Sequence, residues 1–296
     1  MKIVAIIPFY NNFDDIKNCV DSLKRSRGIS PQIFLIDGKC TDATPAKLKD
    51  AYHDIEILGG EIERFWTGCI AIGIREARRR QVDAVFLLNS DNEVHPDTLQ
   101  KLTDFSHKNP GSIISALVLD KNTSMIRYAG VLIDPGKGKY IPIGLNEIEE
   151  GQWTNREAFE TQMTWGEGVL IPLSVFDQVD PPDEITFPHY GGDADFSLRA
   201  REKGIKIWVK PNAIVTNQKP PGQIQINNLP VLKRLKFWLF DIRSHYNLKM
   251  VWRFESRHHG RPFRVTFNTF VLALFQSLFP SLHNKFLRFH YKAKSI

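Results

Sequence analysis

The chain has 296 residues, with 39 Lys and Arg against 33 Asp and Glu, for a net charge of +6. Its 42% hydrophobic and 24% charged content suits one large folded domain, or one domain with an appendage, and excludes a disordered or fibrous chain. Three scattered cysteines, Cys19, Cys40 and Cys69, argue against a disulfide framework or a zinc site and fit a reducing compartment. The charge is uneven. Residues 229–296 hold thirteen Lys and Arg and two acids, a net of +11, so residues 1–228 carry −5. The two parts are expected to do different work.

In chain order, residues 2–8 are a β-branched apolar run that reads as a buried strand ended by Pro8, too short for a signal peptide. A PFYNN turn leads into a helix reaching about Arg25. QIFLID at 32–37 is a second strand, followed by the loop GKCTDAT and a helix near Pro45. DIEIL is a third, short strand. Residues 66–80 are helical, with Ile70, Ile74 and Ala77 on one face. AVFLLN at 84–89 is apolar without alternation, as in a parallel sheet covered on both faces. A helix over 96–107 and the strand SIISALVL extend an alternation that predicts a doubly wound α/β sheet. Such sheets bind ligands at the carboxyl ends of their strands, and Asp37 and Asp91 fall there. Between 125 and 165, short β-like runs among Gly and Pro turns predict an excursion covering a sheet edge. GEGVLIPLSVFDQV then returns to strand and helix.

Two segments carry the chemistry. NSDN places Asp91 on a turn after a buried strand, where a hard divalent cation would find a carboxylate; most such aspartates are only turn formers. FPHYGGDADFSLRAREKG, at 187–204, sets Asp193 and Asp195 after a glycine pair. Asp193 is expected at the start of a short helix, where exposed N–H groups favour an ionised acid. Asp195 and Arg199 are four apart and face each other. Taken alone, the segment reads first as an ordinary capping acid with a salt bridge. His189 reads as a packed or solvated histidine.

Together these segments resemble a family-2 glycosyltransferase of the GT-A fold, rhamnosyltransferase-like, over residues 2–217. The resembling motifs are IIPFYNN, IDGKCTDAT, FWTGCIAIGIREA, NSDN and GGDADFSLRAREKG. The resemblance implies a nucleotide-sugar site involving Pro8, Tyr10, Asn11, Asp37, Asp42, Trp66, Gly68, Asn89 and Ser90, with Asp37 on the base and Asp42 supporting its loop. It implies Mg²⁺ or Mn²⁺ on Asp91 and Asp193 as general base. It places Trp165, Gly166, Glu167 and Gly168 on the acceptor side, with Asp195 and Arg199 bracing the helix. Four positions depart from the family pattern: Asn89 for the first metal-motif acid, Gly192 for the first acid of the catalytic pair, Cys40 for serine and Ala71 for asparagine.

Residues 1–228 are expected to form the catalytic domain and 229–296 a basic helical tail. Leu232, Leu235, Trp238, Leu239 and Ile242 fall at helical spacing among lysines and an arginine, and Phe267, Phe270, Val271, Leu274, Phe275 and Leu278 form a second apolar stripe. A basic amphipathic helix with aromatics suits an anionic membrane surface. Packing on the catalytic domain, or a homodimer contact, is the alternative. Residues 265–284 lack charge but are too polar for a good span. No nucleic-acid module accompanies the charge.

The expected function is inverting sugar transfer from a nucleotide-diphosphate donor to a saccharide acceptor, expected to be lipid-linked, in surface polysaccharide synthesis. The expected location is cytoplasmic, peripheral on the inner membrane face. The alternatives are a nucleotidyltransferase, which PFYNN fits poorly as a phosphate loop, and a non-catalytic nucleotide-sugar-binding module, which Asn89 and Gly192 favour.

Overall fold

The computed structural model describes residues 1–134, 139–144, 156–217 and 229–279. The expected 228/229 boundary and residues 280–284 of the uncharged stretch lie outside the described residues. In chain order the elements are β1 (Ile3–Phe9), α1 (Phe13–Lys24), β2 (Gln32–Asp37), α2 (Thr44–Ala51), β3 (Glu56–Gly59), α3 (Trp66–Arg79) and β4 (Ala84–Leu87). Then come β5 (Asn92–Val94), α4 (Thr98–Lys108), β6 (Ile113–Asp120), β7 (Ile126–Tyr128), β8 (Val131–Asp134), β9 (Lys139–Pro142), β10 (Phe159–Thr161) and β11 (Val169–Pro172). A 3₁₀ turn (Leu173–Asp177), α5 (Gly192–Glu202), β12 (Ile207–Asn217), α6 (Val231–Phe240), α7 (Leu248–His258) and α8 (Pro262–Leu278) complete the described chain.

The main sheet runs β10-β12-β6-β11-β4-β1-β2-β3. Its first half, β3-β2-β1-β4, is parallel, as the unbroken apolar runs predict. Every residue of β1 is buried, so both faces must be covered, and alternate side chains reach opposite cores. Ile3, Ala5 and Ile7 pack with Ile16, Val20 and Leu23 of α1 and Leu99 and Leu102 of α4. Val4 and Ile6 pack with Ile70, Ile74 and Ala77 of α3 and Phe196 and Ala200 of α5. Pro8 does not end β1, which continues to Phe9 in register with Asp37.

The second half of the sheet departs from the expected parallel order: β5, β7 and β10 pair antiparallel, and so does β11. β11 enters the middle of the sheet antiparallel to both neighbours, β4 and β6. Its first residue, Val169, pairs with Leu87 at the carboxyl end of β4. The residues just before β11 are therefore delivered to the sheet edge where those after β4 emerge. The excursion after β6 adds strands to the sheet: β7 pairs with β6, and β10 pairs with β12.

The described part of the tail is three helices. α7 is held on the catalytic part by Phe254, which joins Phe187 and Leu198 in a buried cluster. Asn247 caps α7, its side chain accepting the Met250 N–H at 3.0 Å. α8 lies against α6 and α7. It buries Thr269, Ala273 and Ser277, spaced by four, and turns its large apolar side chains outward. Phe263 is 80% exposed and Phe267 65%, while Leu232 on α6 is 81% exposed. α6 ends at Phe240, so Ile242 falls outside its stripe. Among the described residues, no helix is long and apolar enough to cross a membrane.

Candidate active site

The carboxyl ends of β1 and β2 carry two loops tied through Asn11. Its Oδ1 accepts the Thr41 N–H at 2.9 Å, and its Nδ2 donates to Thr41 Oγ1 at 3.2 Å. Asp37, at the end of β2, is buried and accepts the N–H groups of Lys39 at 2.8 Å and Cys40 at 2.7 Å through Oδ1. Asp42 accepts the Thr44 N–H at 2.9 Å at the entry to α2. Both acids shape their loop, and Tyr10 beside it is exposed.

The antiparallel entry of β11 builds the centre of the site. It brings Glu167 to Asn89, whose Nδ2 donates to Glu167 Oε1 at 2.9 Å. The Asn89 Oδ1 accepts Trp66 Nε1–H at 2.8 Å. Both ends of the amide are thereby used. An aspartate at 89 would set a second carboxylate against Glu167, which accounts for the departure from the family pattern. Burial first, and Asp91 second, push the Glu167 carboxyl up to about 7.

Asp193 reaches the same cavity from α5, beside Glu167. Gly191, with φ of 85°, turns the chain into α5, so the helix opens on glycine and Asp193 lies one turn-position inside it. Asp193 Oδ2 accepts the Gly166 N–H at 3.1 Å and Oδ1 the Ala194 N–H at 2.8 Å. Burial nevertheless outweighs these N–H groups and holds the carboxyl above the usual carboxylate range. The helix start favours the ionised acid, as expected, and burial works against it. Gly192 has no room for a side chain: an added Cβ would lie 2.4 Å from Thr67 Oγ1. The acid of the family pattern is excluded there by the start of α3. Gly166 likewise lies under Trp66, 2.0 Å from the ring for an added Cβ.

Asp195 is fully buried and faces away from the site. It accepts Arg199 Nε–H at 2.8 Å, as the spacing predicts, and also Arg257 Nη1–H at 2.8 Å, with His258 Nε2 at 2.9 Å. Burial would raise this carboxyl, but His258, Arg257 and Arg199 hold it below the usual range. Arg199 also donates to the carbonyls of Asp180 and Pro181 at 2.8 and 3.1 Å. Two of the three partners of Asp195 come from the tail, which spacing along the sequence could not reveal.

These elements enclose one cavity of about 760 Å³. Pro8, Trp66, Asn89, Ser90, Asp91, Trp165, Gly166, Glu167 and Asp193 line it together. Tyr10, Asn11, Asp37, Asp42, Gly68, Gly168, Asp195 and Arg199 are not among its lining residues. Trp165 is held by stacking on Tyr128, with ring centroids 4.3 Å apart. Gly68 faces Arg64 and Glu184, and Gly168 packs on Val215 and Ala116. The sequence reading set His189 aside as packed or solvated and missed Tyr140, Met163, Tyr190, His245, Met250 and Phe254 as lining residues. For α7, the signal available was Asn247 ahead of an apolar periodicity closed by Gly260 and Pro262.

The family model described as glycosyl transferase family 2 matches residues 4–165. The chain belongs to this family. Its fold is also that of two solved GT-A structures. GalNAc-T7, solved with UDP, GalNAc and Mn²⁺, aligns with a TM-score of 0.61 and 18% identity, covering 90% of this chain and 54% of that one. S. aureus TarS aligns with a TM-score of 0.54 and 13% identity, covering 94% and 48%. The chain thus spans about half the length of each. Among curated proteins, none matches the sequence significantly. The family match stops short of Asp193 and α5, and the rhamnosyltransferase-like subtype has no support beyond the sequence motifs.

The residues present suit a divalent cation. Among the described residues no lysine or arginine lines the cavity, whereas the carboxyl groups of Asp91, Glu167 and Asp193 do. A divalent cation would offset the repulsion between these carboxyl groups and a nucleoside diphosphate. Among the described residues, no group of three or more His, Cys, Asp and Glu could hold a metal alone. The fitting arrangement is Asp91 with the donor's own phosphates completing the shell, as is common for Mg²⁺.

Proposed function

We propose that this glycosyl transferase family 2 chain moves a sugar from a nucleotide-diphosphate donor to a saccharide acceptor, with inversion at the anomeric carbon. The observation that carries the reading is that Asp193, Asp91 and Glu167 line one cavity, with Asp193 bonded to the Gly166 N–H beside Glu167. Asp91 would hold Mg²⁺ or Mn²⁺, which when bound neutralises charge on the leaving diphosphate. Asp193 takes the proton of the acceptor hydroxyl. That oxygen bonds to the anomeric carbon as the bond from that carbon to the phosphate oxygen breaks, and the nucleoside diphosphate leaves. The loops at Asn11, Asp37 and Asp42 would seat the nucleotide, and Trp165 and Gly166 would border the acceptor. The test is a thermal-shift panel of nucleotide sugars with and without Mn²⁺, in which one donor should stabilise the chain only with metal. The Asp91→Asn protein should keep its fold and lose that metal-dependent shift. Equal nucleotide affinity with metal and with chelator would remove the metal role.

The tail supports a peripheral membrane location and a lipid-linked acceptor for surface polysaccharide synthesis. α8 turns its phenylalanines away from its neighbours, and the segment from 229 onward carries a net +11. Apolar side chains beside basic charge complement an anionic bilayer rather than a neutral one, at about 1 kcal/mol per basic residue near the surface. In co-sedimentation at low salt, the full chain should pellet with phosphatidylglycerol vesicles and stay free of phosphatidylcholine vesicles. Phe263→Ser with Phe267→Ser should weaken binding about tenfold, and added salt should do the same. If the double variant partitions like the parent, the bilayer does not cover this face. Dimerisation of the parent, lost in the variant, would assign it to a second copy.

A further inference from the structure

We infer that Arg257, on α7 of the tail, is a positioning residue for Asp193: it ties together the two ends of the segment that carries the proposed base. The inference rests on reading Asp193 as that base, and adds to it a role for the tail in sugar transfer. Between the 3₁₀ turn and α5 the chain forms neither helix nor strand. Phe196 and Ala200 seat the body of α5 in the core, but Asp193 lies just past the irregular stretch, where no strand pairing fixes its place. Arg257 grips that stretch at both ends. Its Nη2–H donates to Asp183 Oδ2 at 2.9 Å and its Nη1–H to Asp195 Oδ1 at 2.8 Å. Between these anchors its guanidinium lies over the Phe187 ring, 5.2 Å from the centroid. A guanidinium presents its donors in a rigid planar fork, so the two carboxylates are held at a set separation and orientation.

The same face of α7 presses on the stretch elsewhere. A Cβ added at Gly191 would lie 3.6 Å from Met250 Sδ and 3.7 Å from Phe254 Cδ2, so the left-handed turn that opens α5 rests on α7. Phe254 also meets Phe187 edge-on at 5.8 Å, and His258 Nε2 lies 2.9 Å from Asp195 Oδ1. Met250, Phe254, Arg257 and His258 fall at the i, i+4, i+7, i+8 spacing of one helix face. α7 thus acts as a splint along residues 183–195. Stability alone does not call for charge here. Asp195 is fully buried, and a buried ion pair is commonly no more stabilising than an apolar substitute. What the polar pairs supply is geometry. Asp193 Oδ2 must meet the Gly166 N–H on a separate segment, at 3.1 Å, and a displacement of about 1 Å can cost about 10²-fold in rate.

Two readouts on the full chain separate positioning from stability. The first needs no substrate. The Gly166 N–H is bonded to Asp193, so its hydrogen exchange, followed by NMR, reports whether the carboxylate is in place. Arg257→Met keeps a long side chain without the fork. It should speed exchange at Gly166 at least tenfold, with the amides of β1 within twofold of the parent. Asp183→Asn cuts one anchor while Asp195 keeps all its partners, and should speed Gly166 exchange about threefold. The second readout is release of nucleoside diphosphate from UDP-glucose, UDP-galactose, UDP-N-acetylglucosamine and dTDP-rhamnose with Mn²⁺. On the donor that the parent cleaves, Arg257→Met should lower kcat at least tenfold with KM within twofold. Arg257→Lys, which can keep one ion pair, should recover at least threefold of that loss. Unchanged Gly166 exchange in Arg257→Met, faster exchange spread evenly over the chain, or faster Gly166 exchange with parental kcat would each overturn the positioning role. Gly166 exchange that responds as expected, in a parent that cleaves none of the four donors, leaves the splint standing and counts against the transferase reading instead.

Discussion

Replacing Asp193 with Asn is expected to lower turnover by about 10²–10⁴-fold, the usual worth of a positioned general base, while donor affinity changes little. The substitution preserves size. Its amide oxygen can still accept one of the Gly166 and Ala194 N–H groups, which now bind separate carboxylate oxygens, so folding should survive with the loss of one hydrogen bond. The pH dependence has a definite sign. A base works ionised, and this carboxyl is held above the usual range by burial. The acid limb of kcat/KM should therefore lie above ordinary carboxylate values, with activity rising as pH rises through it. Glu167, at about 7, is the competing source of such a limb. Steady-state transfer by Asp193→Asn and Glu167→Gln separates them. Near-parental turnover in Asp193→Asn would move the base to Glu167.

The second large effect is on stability. Replacing Arg257 and His258 together with Leu should destabilise the chain by about 2–4 kcal/mol. That is toward the low end for breaking a buried ion pair, because Arg257 is partly exposed. Asp195 has no exposure of its own and would keep only Arg199. Adding Asp195→Asn to that background should recover part of the loss, because it removes the stranded charge. Urea denaturation of the four proteins in this cycle measures the coupling, and simple additivity would refute it. The parent should also show a pH signature. The folded carboxyl lies below its unfolded value. Its contribution is therefore complete above the ordinary carboxylate range and is lost as pH falls through the lowered value.

The parallel half of the sheet was legible because its strands are covered on both faces and so are written as unbroken apolar runs. β1 and β2 are the clearest cases. The same property hid the direction of β11, since VLIP, buried at every position, reads identically in either orientation. Asp91 and Asp193 were legible from local surroundings, a strand end and a helix start. Glu167 gained its place only through strand pairing. Asp195 shows the limit most sharply: its bond to Arg199 spans one helical turn, whereas those to Arg257 and His258 span 62 and 63 residues. α7 was obscured because Lys249, Arg253 and Arg257 mask a narrow apolar face, which only Phe254 commits to the core.

The central position of β11 bears on how the chain is made. β1, β2, β3 and β4 can pair as they leave the ribosome, but the second edge of β4 waits for residues 169–172 and β6 waits for 207–217. Until then a nascent chain carries open strand edges with strong apolar character, a state prone to misassociation and slow to close because its contacts are distant. The groups proposed for catalysis are thus among the last to be assembled. A chain stalled just before residue 257 has every strand of its main sheet, and a buried carboxylate that still lacks two of its three partners.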